Sequence, residues 1–202
     1  LPAFLSEDPG LHSGFMIAQV TAASADEVIE AVNIASKAQK SWRQLTSFQR
    51  GEYLHKLAGK LKEHAPKIGE VLALESGKSL EDSTNEAIYA SDITRYHAEW
   101  ARRIEGEIIP SDTPDENLLL HREPIGVVAC LIPFNYPVYT LLRKIAPALI
   151  SGNTVVVRPS NNTPCSAFAI AQAVLDAEIP SGVINIMTMD HATAETMCTH
   201  PK

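Results

Sequence analysis

The sequence predicts an α/β chain in which a layer of N-terminal helices precedes a doubly wound parallel sheet, with a small strand pair between them. Three observations carry that prediction. From Gly126 onward, short apolar runs alternate with stretches of helical periodicity, which implies right-handed crossovers between parallel strands. Up to about residue 105, apolar residues recur at spacings of three and four, as one helix face requires. In between, Gly106, Pro110 and Pro114 punctuate a segment centred on Leu118-Leu119-Leu120 that reads as two strands around a turn.

The elements follow in order. The first twenty-three residues form an irregular or strand-forming entry, with Phe15 to Val20 the only extended candidate. Ser24 and Glu27 make a capping box, and Val28, Ala31, Val32, Ala35 and Ala38 then trace a helical face. A second helical stretch covers about 47–76, carried by Leu54, Leu57 and Leu61 and then by Ile68, Val71 and Leu72. Pro66 is expected to divide it and Gly77 to end it. A third stretch, about 80–105, carries Ile88, Ile93, Tyr96 and Trp100. After the strand pair come strand 127–132, helix 137–151, strand 154–158, helix 164–176, strand 183–187 and a short helix 191–199. The unbroken apolar character of 127–132 predicts a strand covered on both faces. There are no internal repeats or low-complexity tracts.

Composition narrows the function classes. With 202 residues, 45% of them hydrophobic, the chain buries a substantial core in one or two domains. No apolar run approaches the roughly 18–20 residues that span a bilayer, and the start lacks a basic-then-apolar signal, so a cytoplasmic location is expected. A net charge of −7 with scattered basic residues argues against nucleic acid or an anionic membrane and for a small-molecule ligand. Cys130, Cys165 and Cys198 are an odd count at wide spacing, so reduced thiols are expected, with Cys130 and Cys198 as packing residues. Cys165 follows Thr163-Pro164 at a helix start, where the macrodipole favours a thiolate, yet no partner base lies near it in sequence and a structural role is expected. The seven His residues show no metal-ligand spacing, and no metal is expected.

The most informative stretch is the turn after the first parallel strand. Asn135 stands where that strand ends, ahead of a helix with Pro137 in its first turn and Val138, Leu141, Leu142, Ile145, Ala148 and Leu149 on one face. Read locally, Asn135 is a helix cap. In parallel sheets, ligands bind outside the carboxyl ends of the strands, which here means the loops after Ile132, Arg158 and Met187. The chain carries no GxGxxG fingerprint.

The blocks Ile132-Pro133-Phe134-Asn135-Tyr136-Pro137, Arg143-Lys144-Ile145-Ala146-Pro147-Ala148-Leu149 and Gly152 to Ser160 resemble the aldehyde dehydrogenase superfamily almost position for position. The resemblance continues through Ala177 to Asn185 and, upstream, takes in Trp42, Arg50, Gly77-Lys78, Glu86 and Ala98-Glu99-Trp100-Ala101, so it covers nearly the whole chain. It implies an aldehyde-dehydrogenase-like fold whose sheet is Rossmann-like without GxGxxG. Residues 1–105 would be the helical part of the cofactor-binding domain, 106–125 strands of an oligomerisation sheet, and 126–202 the βαβ cofactor-binding core, cut before the catalytic domain. The implied activity is oxidation of an aldehyde to its acid through a Cys thiohemiacetal, with NAD or NADP as cofactor and a homodimer or homotetramer as the complete assembly.

Residue by residue, the resemblance makes Asn135 the side-chain donor of an oxyanion hole and places Lys144 near the active-site polar network. It puts Ile132, Pro133, Phe134, Arg158, Ser160 and Asn161 on the cofactor face and Arg143 against the polar end of the substrate, where a guanidinium fork suits paired oxygens. Residues 96–126 are most similar to the branch acting on lactaldehyde and glycolaldehyde, with succinate semialdehyde as the alternative substrate. Four positions depart from the family pattern. Arg158 replaces a Lys and Asn161 a Glu, which removes a carboxylate that repels a 2′-phosphate, so NADP is expected to be tolerated. Glu178 and Met189 replace Gly, and Met189 is expected to obstruct the cofactor. The altered positions leave a non-catalytic nucleotide-binding or scaffold module as a competing reading. The family's catalytic Cys, general-base Glu and Gly-Ser turn all fall beyond the position of Lys202, so the 202-residue polypeptide is expected to lack dehydrogenase activity by itself.

Overall fold

The computed structural model describes residues 2–4 and 16–202. Strands β1 (Pro2–Phe4) and β2 (Met16–Gln19) pair antiparallel; Phe15, expected to join the extended segment, lies outside the described residues. Helix α1 (Ala25–Trp42) starts at the foreseen capping box, with the Ser24 hydroxyl accepting from the Glu27 amide at 3.3 Å and the Glu27 carboxylate accepting from the Ser24 amide at 2.8 Å.

Helix α2 (Ser47–Ser76) runs unbroken for 30 residues through Pro66, which does not divide it. A proline inside a helix forfeits one backbone bond and crowds the carbonyl four residues back. Here Leu61, Ala65 and Ile68 around it are all buried in the core, and that packing outweighs the local penalty. Gly77, at φ 73, ends the helix in the left-handed conformation that a β-carbon disfavours. Helix α3 (Leu80–Ala98) lies close against α2: a β-carbon on Gly69 would stand 2.8 Å from the Thr84 α-carbon. It stops at Ala98 and tightens into a 3-10 turn at Glu99–Arg102, short of the expected residue 105. Strands β3 (Glu107–Pro110) and β4 (Asn117–Leu120) then form an antiparallel hairpin, exposed on both faces, with Ile108 opposite Leu119.

The remainder is the alternating unit. Strands β5 (Val127–Leu131), β6 (Thr154–Arg158) and β7 (Ile184–Ile186) are parallel in the order β5-β6-β7, separated by α4 (Pro137–Ile150) and α5 (Cys165–Asp176) and followed by α6 (His191–Cys198). The period of two along β6 makes the sheet doubly wound. Val155 and Val157 enter the main core with α2, α3, α4 and α5, while Val156 enters a second core with Val28, Val32 and Ala35 of α1 and Ala194 and Met197 of α6. Each of these fully buried valines stabilises the fold by roughly 1.5–3 kcal/mol. β5 departs from expectation. Among the described residues it is an edge strand of this sheet: Val128 and Cys130 pack into the main core, while on the opposite face α1 reaches Val127 and leaves Ala129 and Leu131 exposed. Among the described residues, no helix is long and apolar enough to cross a membrane.

Candidate active site and cofactor face

Helix α4 carries the site and is fixed at both ends by buried side chains from other elements. At its C-terminus, Trp42 Nε1 donates to the Leu149 carbonyl at 3.0 Å, Arg50 Nε to that of Ile150 at 3.0 Å, and Gln39 Nε2 to that of Gly152 at 3.3 Å. The last turn of a helix leaves its carbonyls without intrahelical partners, and here the Leu149 carbonyl accepts from the Gly152 amide as well, at 3.0 Å. At its N-terminus the capping residue is Tyr136, whose side chain makes no cap bond. The cap comes from α3: Glu86 Oε1 accepts from the amides of Val138 at 2.9 Å and Tyr139 at 3.1 Å. The other carboxylate oxygen, Oε2, accepts from Lys78 Nζ at 2.5 Å.

Asn135 is therefore not the cap that its local sequence suggests. Asn135 is exposed, its side chain makes no hydrogen bond with any described residue, and the residue lines an open cavity of about 650 Å³ between α3 and α4. From α3 the lining is Tyr89, Asp92, Ile93 and Tyr96; from α4 and its leading turn it is Asn135, Tyr136, Tyr139, Thr140 and Arg143. Both sets recur at three and four residues, so each is one stripe of a helix, and the two stripes face each other. Sequence reasoning assigned Asn135 and Arg143 here and missed the rest. The signal that finds them is a polar and aromatic stripe on each helix, where a core face would be aliphatic.

Lys144 does not line this cavity. One residue on from Arg143 it points elsewhere around the helix, and its Nζ donates to the carbonyl of Leu131 at 2.5 Å, at the end of β5.

The residues expected on a cofactor face gather at the carboxyl ends of β5 and β6. The Ile132 amide extends the ladder by donating to the Arg158 carbonyl at 3.0 Å; Pro133 and Phe134 beyond it are exposed. Arg158 is 8% exposed, so it is not a solvated strand-end arginine. Its Nη2 donates to Asn161 Oδ1 at 3.0 Å and to the Met189 carbonyl at 3.4 Å, while its buried Nε has no partner. Burial lowers its pKa, with the Asp190 charge opposing. Ser160 Oγ accepts from the Asn162 amide at 3.2 Å. The Met189 side chain is fully buried in the second core, packed with residues of α1, β6 and α6.

Two of the three thiols, Cys130 and Cys165, are held in the neutral form. Burial, and then the neighbouring Glu75 carboxylate, push the Cys165 thiol up to about 11, so the helix start does not yield a thiolate. Burial likewise pushes Cys130 up to about 11, against the nearby Lys144 charge. Cys198 is exposed, contrary to the packing role expected for it.

Comparison with known proteins fits this arrangement. Residues 6–202 match the model of the Aldehyde dehydrogenase family. Lactaldehyde dehydrogenase of Escherichia coli (strain K12) is 38% identical over 172 residues, covering 85% of this chain and 36% of that protein. The mitochondrial succinate-semialdehyde dehydrogenase of Arabidopsis thaliana is 37% identical over 175 residues, covering 87% of this chain and 33% of that protein. The structure of NADP-dependent glyceraldehyde-3-phosphate dehydrogenase from Bacillus halodurans C-125 complexed with NADP superposes with a TM-score of 0.89 at 34% identity, over 94% of this chain and 41% of that one. The chain thus spans well under half the length of the relatives it matches. The fold, the sequence match along nearly all of the chain and the identity to these enzymes together establish that it belongs to the aldehyde dehydrogenase family.

Proposed function

We propose that this chain supplies the oxyanion donor, one wall of the substrate cavity and part of the cofactor face of an NAD(P)-dependent aldehyde dehydrogenase that converts a short hydroxy-aldehyde, of the lactaldehyde or glycolaldehyde kind, to its acid. The observation that carries the reading is the Asn135 carboxamide, which lines the cavity with no partner of its own. Addition of a thiolate to the aldehyde carbon converts the carbonyl oxygen to an alkoxide, and a fixed amide N–H at that oxygen stabilises the charge as it forms. The thiolate and the base that later admits water to the thioester come from residues outside these 202. When bound, the nicotinamide accepts the hydride that leaves the tetrahedral carbon.

Arg143 and Asp92 line the same cavity, and they support a neutral hydroxylated substrate. The Arg143 guanidinium can donate to a hydroxyl oxygen and the Asp92 carboxylate accept from a hydroxyl O–H, whereas Asp92 opposes the free carboxylate of succinate semialdehyde. At the cofactor face, the positive charge of Arg158 and Asn161 in place of a carboxylate fit a phosphorylated ribose. Ile132, Pro133, Phe134 and Ser160 lie around the same strand ends, and Lys144, tied to the end of β5, orders that rim. We place the whole protein in the cytoplasm as a homodimer or homotetramer, joined through the exposed β3–β4 hairpin.

In the full-length enzyme, Asn135→Ala is expected to lower kcat by about 100- to 1000-fold with little change in aldehyde KM; near-wild-type turnover contradicts the assignment. A cofactor titration is expected to show activity with NADP, and strict dependence on NAD refutes the reading of Arg158 and Asn161.

A further inference from the structure

We infer that Glu86 is a positioning residue for the oxyanion donor: by capping α4 from the neighbouring helix, it releases Asn135 from capping and leaves the carboxamide facing the cavity. The inference rests on the role proposed above for Asn135. Pro137 has no N–H, so the first donors of α4 are the amides of Val138 and Tyr139, two and three residues past the capping position. Those are the amides that a side chain at the capping position ordinarily satisfies; Tyr136 holds that position without a cap bond, and Asn135, one residue before it, is the nearest side chain of a capping type. Both amides are taken by Glu86 Oε1, at 2.9 and 3.1 Å. An anion at a helix N-terminus also meets the positive end of the macrodipole, so the carboxylate outcompetes a neutral amide for the position.

The arrangement is built for this purpose in a second respect. Glu86 is 1% exposed, and a buried carboxylate persists only when its oxygens are bonded. Its second oxygen accepts from Lys78 Nζ at 2.5 Å, and the same ammonium stands 4.0 Å from the ring centroid of Tyr136. Tyr136 lies between Asn135 and the helix. The cation that neutralises Glu86 therefore also holds the turn that aims Asn135. Lys78 is itself fixed by its place between the left-handed Gly77 that ends α2 and the Ser79 that caps α3.

A double-mutant cycle on the full-length enzyme separates this role from general stabilisation. Glu86→Ala, and Glu86→Gln should the alanine variant fail to fold, is expected to lower kcat by about tenfold with aldehyde KM within about twofold, and to lower it less than about twofold further in an Asn135→Ala background. A crystal structure of the Glu86 variant is expected to show the Asn135 carboxamide turned from the cavity onto the Val138 or Tyr139 amide. A Glu86 effect that persists at full size in the Asn135→Ala background overturns the inference, as does a carboxamide still facing the cavity in the variant. Undiminished turnover of Asn135→Ala alone overturns the underlying functional reading, and this inference with it.

Discussion

Glu178 adopts φ 57, in the left-handed region where a β-carbon meets the following carbonyl, at a position where the family pattern has Gly. Its side chain pairs with Lys56 at 3.0 Å, but both groups are largely exposed, and such pairs contribute roughly 0–1 kcal/mol. Relief of strain exceeds that loss. Glu178→Gly is therefore expected to raise stability by about 0.5–1 kcal/mol, and a lower urea midpoint would show that the ion pair matters more than the backbone. Glu75 gives a second prediction at this scale. Its buried carboxylate accepts from the amides of Cys165 at 2.7 Å and Ser166 at 2.8 Å, capping α5 as Glu86 caps α4, yet burial outweighs those bonds and raises its pKa. The folded state then binds this proton more tightly than the unfolded chain does. The contribution of Glu75 to stability consequently declines as pH rises from the ordinary carboxylate range through its raised folded value. Urea unfolding between pH 4 and pH 7 should show that decline in the parent protein and lose it in Glu75→Gln; parallel profiles would contradict the raised pKa.

At the scale of the element, α4 is held by bonds to its two ends and by its buried face, and Asn135 and Arg143 inherit their positions from it. Trp42→Phe deletes the Nε1 donor to the Leu149 carbonyl, which then keeps the Gly152 amide at 3.0 Å. The expected cost is about 0.5–1.5 kcal/mol for the lost bond, read as a lower thermal or urea midpoint, and an unchanged midpoint would mean that the Gly152 amide alone satisfies the carbonyl. The clamp explains which features were legible in the sequence and which were not. Caps whose partners are three residues apart, such as Ser24 with Glu27, and the left-handed stop at Gly77 depend on local geometry and appear in the sequence as short patterns. The alternation after Gly126 reported the parallel sheet for the same reason. Glu86 and its amides are 52 and 53 residues apart, so no window that reads one helix includes its cap, and Asn135 falsely looked like the nearest candidate. The continuity of α2 through Pro66 and the exposed side of β5 are likewise set by what packs alongside, which periodicity does not encode. The resemblance supplied the roles of Asn135 and Arg143; the stripe opposite them on α3 became apparent only once the two helices were set face to face.

Over the whole molecule, the substitutions that favoured a non-catalytic module are absorbed by the fold: Met189 completes a core and Glu178 tolerates its turn. Among the described residues, the β3–β4 hairpin is left exposed on both faces. An isolated pair of strands is marginal in water, yet this one places Ile108 and Leu119, 78% and 61% exposed, directly opposite each other on one face. Ile109 and Leu118 form the less exposed pair on the other face. If two copies meet through the Ile108 and Leu119 face, four such side chains leave water at roughly 1.5–3 kcal/mol each. That gross gain is comparable with the estimated 4–15 kcal/mol cost of association, so assembly hinges on these residues together with whatever lies beside them. Ile108→Lys with Leu119→Lys in the full-length protein places four ammonium groups at that contact. Light scattering is expected to show the mass falling toward that of a single chain, while the thermal midpoint of each folded subunit moves by no more than about 0.5 kcal/mol equivalent, as for surface substitutions generally. An oligomer of undiminished mass would mean that the subunits join through another surface, and the hairpin's apolar face would then need a partner within its own chain.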